Sequence, residues 1–440
     1  MNQRSLLGLA LAAIAAAGMW LYVQRVLIPY QVQDAAAHGR PRGLLSDLYP
    51  RWVGAQELLQ HGLDPYSDAV TREIQRGYYG RELNPGRPDE PKDEQRFAYP
   101  VYVVFLLAPW LKLPFDTARW MFSMVLLALT AASVPLWLRV IGWRVHRLTM
   151  ITLVLLTTSS FAAVQGLKLQ QLSLLVAALL ALCAYGIVSG WLFAAGVCLA
   201  LASIKPQLMA LLAVWLMLWT LGNWKQRQNL FWGFVASLGV LAGGAEYLLP
   251  GWIPRFVAGM AAYERYTGGG SLLDVLVGRM AGTALALFIT LMVMVVSGRE
   301  RRCDGNSREF GLVTALVLAG TAMVIPMMAP YNHLILLPAV LLIVRSRKQL
   351  WASGRLTRLV ILIAALAVFW PWAVGLLIGI ASLVAPQTVL KLWAAPLWTS
   401  LAIPLAIFPL AYAVAAKHET LRPWDATAGS TVLLSRRPLE

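Results

Sequence analysis

Residues 97–113 read Phe-Ala-Tyr-Pro-Val-Tyr-Val-Val-Phe-Leu-Leu-Ala-Pro-Trp-Leu-Lys-Leu, and Pro114 follows. The run is apolar, and whether it crosses a membrane decides the orientation of everything after it. If it crosses, the clusters Arg139/Arg144/Arg147, Lys225/Arg227, Arg299/Arg301/Arg302/Arg308 and Arg345/Arg347/Lys348 all fall outside the cytoplasm. If it lies in the outer interface, nineteen Lys and Arg fall in cytoplasmic segments and about six in or beside the short outer loops. Cytoplasmic loops carry the excess of Lys and Arg. The interfacial reading is therefore preferred.

The premise that a membrane is present comes from composition. The 440 residues are 59% hydrophobic and 13% charged, with a formal net charge of +16. Soluble domains average about 25% charged and about 45–50% apolar residues. A soluble fold of this length cannot bury such an apolar excess, so a soluble enzyme is excluded. A disordered chain needs the opposite composition. Nucleic acid is not an expected partner, because the basic residues sit between apolar runs and not on one polar face. Cys183 and Cys198 lie in apolar runs and Cys303 in a basic loop, with no metal-ligand or CxxC spacing.

Leu6 to Ile28 reads as an uncleaved first span, because the apolar run continues past Ala15-Ala16-Ala17-Gly18 through Trp20 and Val23. Arg4 places its start in the cytoplasm. Residues 29–96 hold nine Lys/Arg and eleven of the 21 Asp/Glu, and form a large loop outside the cytoplasm. Later apolar runs bring the expected total to about twelve transmembrane helices with both termini cytoplasmic. The expected organisation is a first helix at 1–28, an extracytoplasmic loop with interfacial helices at 29–114, a helical core at 115–344, C-terminal spans at 345–416 and a cytoplasmic tail at 417–440. Trp52 to Gln60 reads as a short amphipathic helix resting on the membrane.

This layout collects polar residues on the outer face. The large loop brings Asp47, Arg51 and Gly62-Leu63-Asp64-Pro65-Tyr66. Later turns bring Gln165, Lys168, Gln170, Gln171, Lys205-Pro206-Gln207, Tyr263 and Pro330-Tyr331-Asn332-His333. Polar groups at membrane depth usually face a protein cavity. Lys205 sits between two apolar runs, either as a snorkelling lysine or as a cation for an anionic headgroup. Pro206 starts a helix there, whose free N–H groups point at the same anion. His333 is either a surface residue of its turn or a phosphate ligand or proton shuttle. Asp64-Pro65-Tyr66 is turn chemistry.

In this order the residues resemble polyprenol-phosphate-sugar-dependent glycosyltransferases of the GT-C superfamily, most closely glycosyltransferase family 87. The resemblance runs from about Leu6 to His333. It is carried by Asp47 with Tyr49, Ala55, Leu58-Leu59, Gly62 and Asp64-Pro65-Tyr66, by Phe97-Ala98-Tyr99-Pro100 with Pro109, by Ala195-Gly196, Leu199-Ala200 and Ile204-Lys205-Pro206-Gln207, and by Pro330 with His333. The family usually shows Gly-Gln where this chain has Gln170-Gln171, so only Gln171 carries over. Tyr99-Pro100-Val101 replaces the usual Tyr-Pro-Pro.

The resemblance implies a GT-C-like fold in the plasma membrane with an extracytoplasmic active site. It implies a sugar donor on a polyprenyl phosphate, with mannose favoured, a glycan or glycolipid acceptor, and inversion at the anomeric carbon. Asp47 takes the place of the general base. Lys205, His333 and Arg51 are expected on the donor phosphate, and Gln171, Gln207, Tyr99, Asn332 and Asp64 on substrate. No acidic cluster resembles a metal site, so no cofactor is expected; Asp47 with His333 is the pair left open as ligands. A transporter or lipid flippase, or a noncatalytic assembly subunit, is the alternative.

Overall fold

A computed structural model describes residues 3–39, 46–84, 86–87, 90–326 and 329–416, without the side chains of Arg4, Tyr266 and Thr267. The expected tail at 417–440 and the Arg4 side chain lie outside the described residues. Helix α1 (Gln3–Tyr22) carries the first apolar run and continues through a π-turn at Val23–Leu27 into α2 (Ile28–Ala37). The helix thus passes the boundary expected at residue 28. Pro29, which has no N–H to donate, follows directly on the π-turn in this continuous helix.

Two short helices build the large loop. Helix α3 (Leu48–His61) covers the expected amphipathic segment and ends at Gly62, whose φ of +68° is the left-handed position that glycine enters without a Cβ penalty. Helix α4 (Asp68–Tyr79) starts at Ser67, whose Oγ accepts from the Val70 N–H at 3.3 Å. The decisive run at 97–113 forms only α5 (Val103–Leu107) and a 3-10 turn at Ala108–Trp110. At about 1.5 Å rise per residue, so short a helix cannot cross a bilayer of about 30 Å. Both its flanks pack on α3 and the loop around it. Phe97 meets Tyr66 edge-on at 5.4 Å, and Phe115 meets Tyr49 at 4.9 Å and Trp52 at 5.4 Å. The run enters and leaves at one end of the bundle.

The remaining helices alternate between the two ends. They are α6 (Phe115–Val140), α7 (Arg147–Thr158), α8 (Phe161–Leu169), α9 (Leu172–Val188), α10 (Leu192–Ala202), α11 (Pro206–Gly222) and α12 (Trp224–Leu248). Two helices at the loop end follow, α13 (Trp252–Thr267) and α14 (Leu272–Val277). Then come α15 (Arg279–Arg299), α16 (Arg308–Val324), a 3-10 segment at Pro330–Leu336, α17 (Leu337–Ala352), α18 (Arg355–Ala381), α19 (Pro386–Leu390) and α20 (Ala402–Ala416). Among the described residues there is no strand, only an isolated bridge between Ser271 and Pro326. Among the described residues six helices, counting Ser5–Ala37 and Pro386–Ala416 as one each, are long and apolar enough to cross a membrane, or seven if α7 and α8, bent by 55°, form one span. The chain is an all-helical, multi-pass membrane protein.

The basic loops gather at one end. Arg227 is buried, lies 4.0 Å over the Trp219 ring, and donates to the carbonyls of Trp219 at 2.8 Å, Arg301 at 2.9 Å and Cys303 at 2.8 Å. Arg345 donates to the Ile141 carbonyl. The loops after α6, α11, α15 and α17 therefore share one end, opposite α3 and α5. Helices α10 and α12 pack backbone to backbone. A Cβ on Gly196 would strike the Leu230 carbonyl, and one on Gly233 the Phe193 carbonyl. Small residues permit such an approach between apolar helices. Gly233→Leu is expected to lower the thermal unfolding midpoint in detergent, by overpacking worth at least about 1–3 kcal/mol. Gly239→Leu, where a Cβ meets nothing within 4 Å, serves as the neutral comparison; equal behaviour of the two would reject the close crossing.

Candidate active site

Three interruptions in the helices create the site. Helix α10 stops at Ala202, and Pro206 cannot continue it because proline has no N–H to donate. Lys205 leaves the helical region ahead of the proline (φ −126°, ψ 79°), which turns its side chain off the helix path. Helix α8 ends at Gln170, which has a left-handed φ of +49°. The Gln170 amide stabilises that turn, lying 2.6 Å from the Leu167 carbonyl and 2.9 Å from Ser123 Oγ. This is the position where the resemblance leads one to expect glycine, and its backbone shows why. The third interruption is the 3-10 segment that begins at Pro330.

One chain of hydrogen bonds joins these breaks to the large loop. The Asp47 N–H donates to the Leu169 carbonyl at 3.0 Å, docking the start of α3 on the end of α8. The Gln171 amide N–H donates to the Asp47 carboxylate. Lys205 Nζ donates to Gln171 Oε1 at 2.9 Å and to Ser173 Oγ at 2.6 Å. Ser173 Oγ donates in turn to Asn332 Oδ1 at 2.7 Å. Arg51 Nη1 donates to the Asp47 main-chain carbonyl at 2.7 Å, which leaves the Asp47 carboxylate to other partners.

Aromatic rings close the site. Lys205 Nζ lies 5.8 Å from the Tyr99 ring centre and 5.2 Å from that of Tyr331, and Arg51 lies 4.7 Å from Tyr99. Cations over ring faces are stabilised most where water is scarce, and Lys205 is only 7% exposed. Burial pushes the Tyr99 and Tyr263 hydroxyls above their ordinary pKa, with Arg51 acting the other way. Both phenols therefore stay protonated. Arg51, Tyr99, Gln171, Lys205, Gln207 and Asn332 all line one polar cavity of about 60 Å³.

Two expected site residues stand apart. The Asp64 side chain accepts from the Tyr66 N–H at 2.9 Å and from Arg255 at 3.1 Å. Tyr66 then donates to the Tyr99 carbonyl at 2.6 Å. Asp64 thus sets the turn that holds Tyr99. His333 is buried but lines a different cavity, an apolar one of about 180 Å³ between α7, α8, α17 and α18. The 3-10 segment explains the split: Tyr331 and Asn332 line the polar cavity, while Pro330 and His333 line the apolar one. Ser173, which sequence reasoning passed over, is central. Its only signal was a hydroxyl two residues beyond Gln171 in an otherwise apolar run. No group of three or more His, Cys, Asp or Glu among the described residues is placed to hold a metal ion.

The site lies at the loop end of a multi-pass helical membrane protein. The model of glycosyltransferase family 87 matches residues 97–330, more than half of the chain, and the chain belongs to that family. No curated protein and no solved structure matches. The matched region contains Tyr99, Gln171, Lys205 and Gln207. Asp47, Arg51, Asp64, Asn332 and His333 lie outside it, and the folded chain brings Asp47, Arg51 and Asn332 to the matched residues.

Gln171→Leu is expected to destabilise the purified protein by about 1–3 kcal/mol, because it strips one partner from a buried ammonium. Adding Lys205→Met should recover part of the loss, since no cation is then left buried. A thermal unfolding midpoint unchanged by Gln171→Leu would show that the network contributes nothing.

Proposed function

We propose that the protein is an inverting glycosyltransferase that moves a sugar, with mannose favoured, from a polyprenyl phosphate to a hydroxyl of a glycan or glycolipid. The observation that carries this reading is the Asp47–Gln171–Lys205 array. It holds a carboxylate and an ammonium apart by the width of one carboxamide, beside a polar cavity in a chain of family 87.

The acceptor oxygen attacks the anomeric carbon from the side facing Asp47. Its proton passes to the Asp47 carboxylate as the new C–O bond forms. The bond to the phosphate oxygen breaks on the opposite face, so a single displacement inverts the centre. Charge grows on the departing polyprenyl phosphate. Lys205, Arg51 and the N-terminal N–H groups of α11 are preorganised to stabilise it in a site shielded from water. The apolar cavity beside the site has room and lining for the start of the lipid tail, and His333 stands where tail and phosphate would meet. Protein groups alone carry the displacement in this scheme.

The proposed setting is a twelve-span, GT-C-like fold in the plasma membrane with both termini cytoplasmic. The segregation of basic loops from the Asp47 end supports it, since Lys and Arg mark the cytoplasmic face. In the twelve-span count, α9, α10, α11, α16 and α17 are short spans beside the longer ones. A topology reporter fused after Arg147 should read cytoplasmic; an extracytoplasmic signal there would place Asp47 on the wrong face.

Asp47→Asn is expected to lower transfer from a polyprenyl-phosphate sugar by about 10²–10⁴-fold, the usual worth of a general base, with donor binding retained. Wild-type turnover by this variant would remove Asp47 from the chemistry. Lys205→Ala should cost about 10²–10³-fold in kcat/KM for the same donor, as loss of a preorganised charge partner does. An unchanged value would return Lys205 to a snorkelling role.

A further inference from the structure

A second cleft lies on the loop face, beyond the active site. Helix α4, residues 90–96 and α13 bound it, and it encloses about 760 Å³. Its three wall carboxylates are held by two arginines. Arg96 bonds Glu94 and, at 2.9 Å, Asp68; Arg81 pairs with Glu90. Arg72, Arg87, Lys92 and Arg265 also line the cleft, and among the described residues no ion pair joins them to a carboxylate. The described residues of the wall therefore carry a surplus of positive charge. Local composition does not explain it, because residues 29–96 hold nine basic against eleven acidic residues.

The wall is built rather than loose. Gln75 Nε2 donates to the Glu94 carbonyl at 3.0 Å, Gln75 Oε1 accepts from the Leu83 N–H at 3.1 Å, and the Tyr79 hydroxyl donates to the Asp93 carbonyl at 2.8 Å. The cleft also adjoins the catalytic cavity. One face of α13 lines that cavity with Met260 and Tyr263, and the next face lines the cleft with Ala262 and Arg265. Asp93, between cleft residues Lys92 and Glu94, acts electrostatically on Tyr263 and Tyr78, which also feel Asp47.

We propose that this cleft binds an anionic oligosaccharide, one bearing carboxylate or phosphate groups, and presents its end across α13 to Asp47. The presentation to Asp47 rests on the transferase reading; the binding does not. A glycan fits better than a lipid surface because the cations line a concave space that also offers the exposed Asn84 amide to sugar hydroxyls. Arginine and lysine recognise carboxylate and phosphate through charge-assisted hydrogen bonds.

The test measures binding without transfer. Fluorescently labelled oligogalacturonate is titrated with the purified full-length protein in detergent, with oligomaltose of equal length as the neutral probe. The comparison is between Arg72→Glu/Arg265→Glu and a control of equal charge change at the opposite end, Arg347→Glu/Lys348→Glu. The expected result is binding of oligogalacturonate over oligomaltose, and a loss of about tenfold or more in the cleft variant alone, as removing charge-assisted contacts produces. Equal loss in both variants, equal binding of both probes, or binding only to phosphatidylglycerol vesicles would overturn the proposal. None of these outcomes bears on transfer, so the assignments of Asp47 and Lys205 stand or fall separately.

Discussion

An ammonium group taken out of water must be given partners or lose its charge. Lys205 is in that position, and much of the loop end of the molecule is arranged to satisfy it. Its three donors find Gln171, Ser173 and two aromatic faces. Apart from Tyr99 in the large loop, each partner comes from a place where a helix has been stopped. The break before Pro206 frees the lysine, the left-handed turn at Gln170 aims Gln171, and the 3-10 segment at Pro330 brings Tyr331 and Asn332. A continuous helix at any of these points would point its side chain at a neighbouring helix instead of into the cavity.

The same network fixes Asp47. Its N–H is tied to the end of α8 and its carboxylate to Gln171, so the start of α3 cannot shift without disturbing Lys205. Arg51, one turn along α3, bonds the Asp47 main chain and stacks on Tyr99, which Tyr66 and Asp64 hold from behind. Arg51 from the large loop and Lys205 from the break before α11 thus meet at one aromatic residue, Tyr99. Such mutual support lets a partly buried charged site hold one geometry.

Charge elsewhere in the protein follows a coarser rule. Arg227 and Arg345 cap carbonyls at the opposite end, where they join neighbouring loops and mark one face of the bundle. The loop face carries both signs, mostly paired, and leaves a small surplus in the cleft beside α13. The +16 of the whole chain therefore says little about any ligand. The distribution of the charge is what distinguishes an orienting arginine from one that meets a substrate.

Much of this was legible in the sequence. Apolar runs with basic loops between them determine a multi-pass helical protein, because backbone groups in a bilayer must be satisfied within helices. Prolines at 109 and 206 mark where helices stop, because proline lacks the donor and restricts the residue before it. Lys205 stood out because a charge between two apolar runs needs a reason. Other matters were decided only by the tertiary structure. Ser173 became a ligand of Lys205, and His333 turned into the apolar cavity while its neighbour Asn332 turned into the polar one. Asp64 proved to hold a turn. These outcomes depend on which residues of distant helices meet, and on the side of a 3-10 turn to which each position projects. Spacing along the chain carries neither, since a one-residue step there sends a side chain into a different cavity.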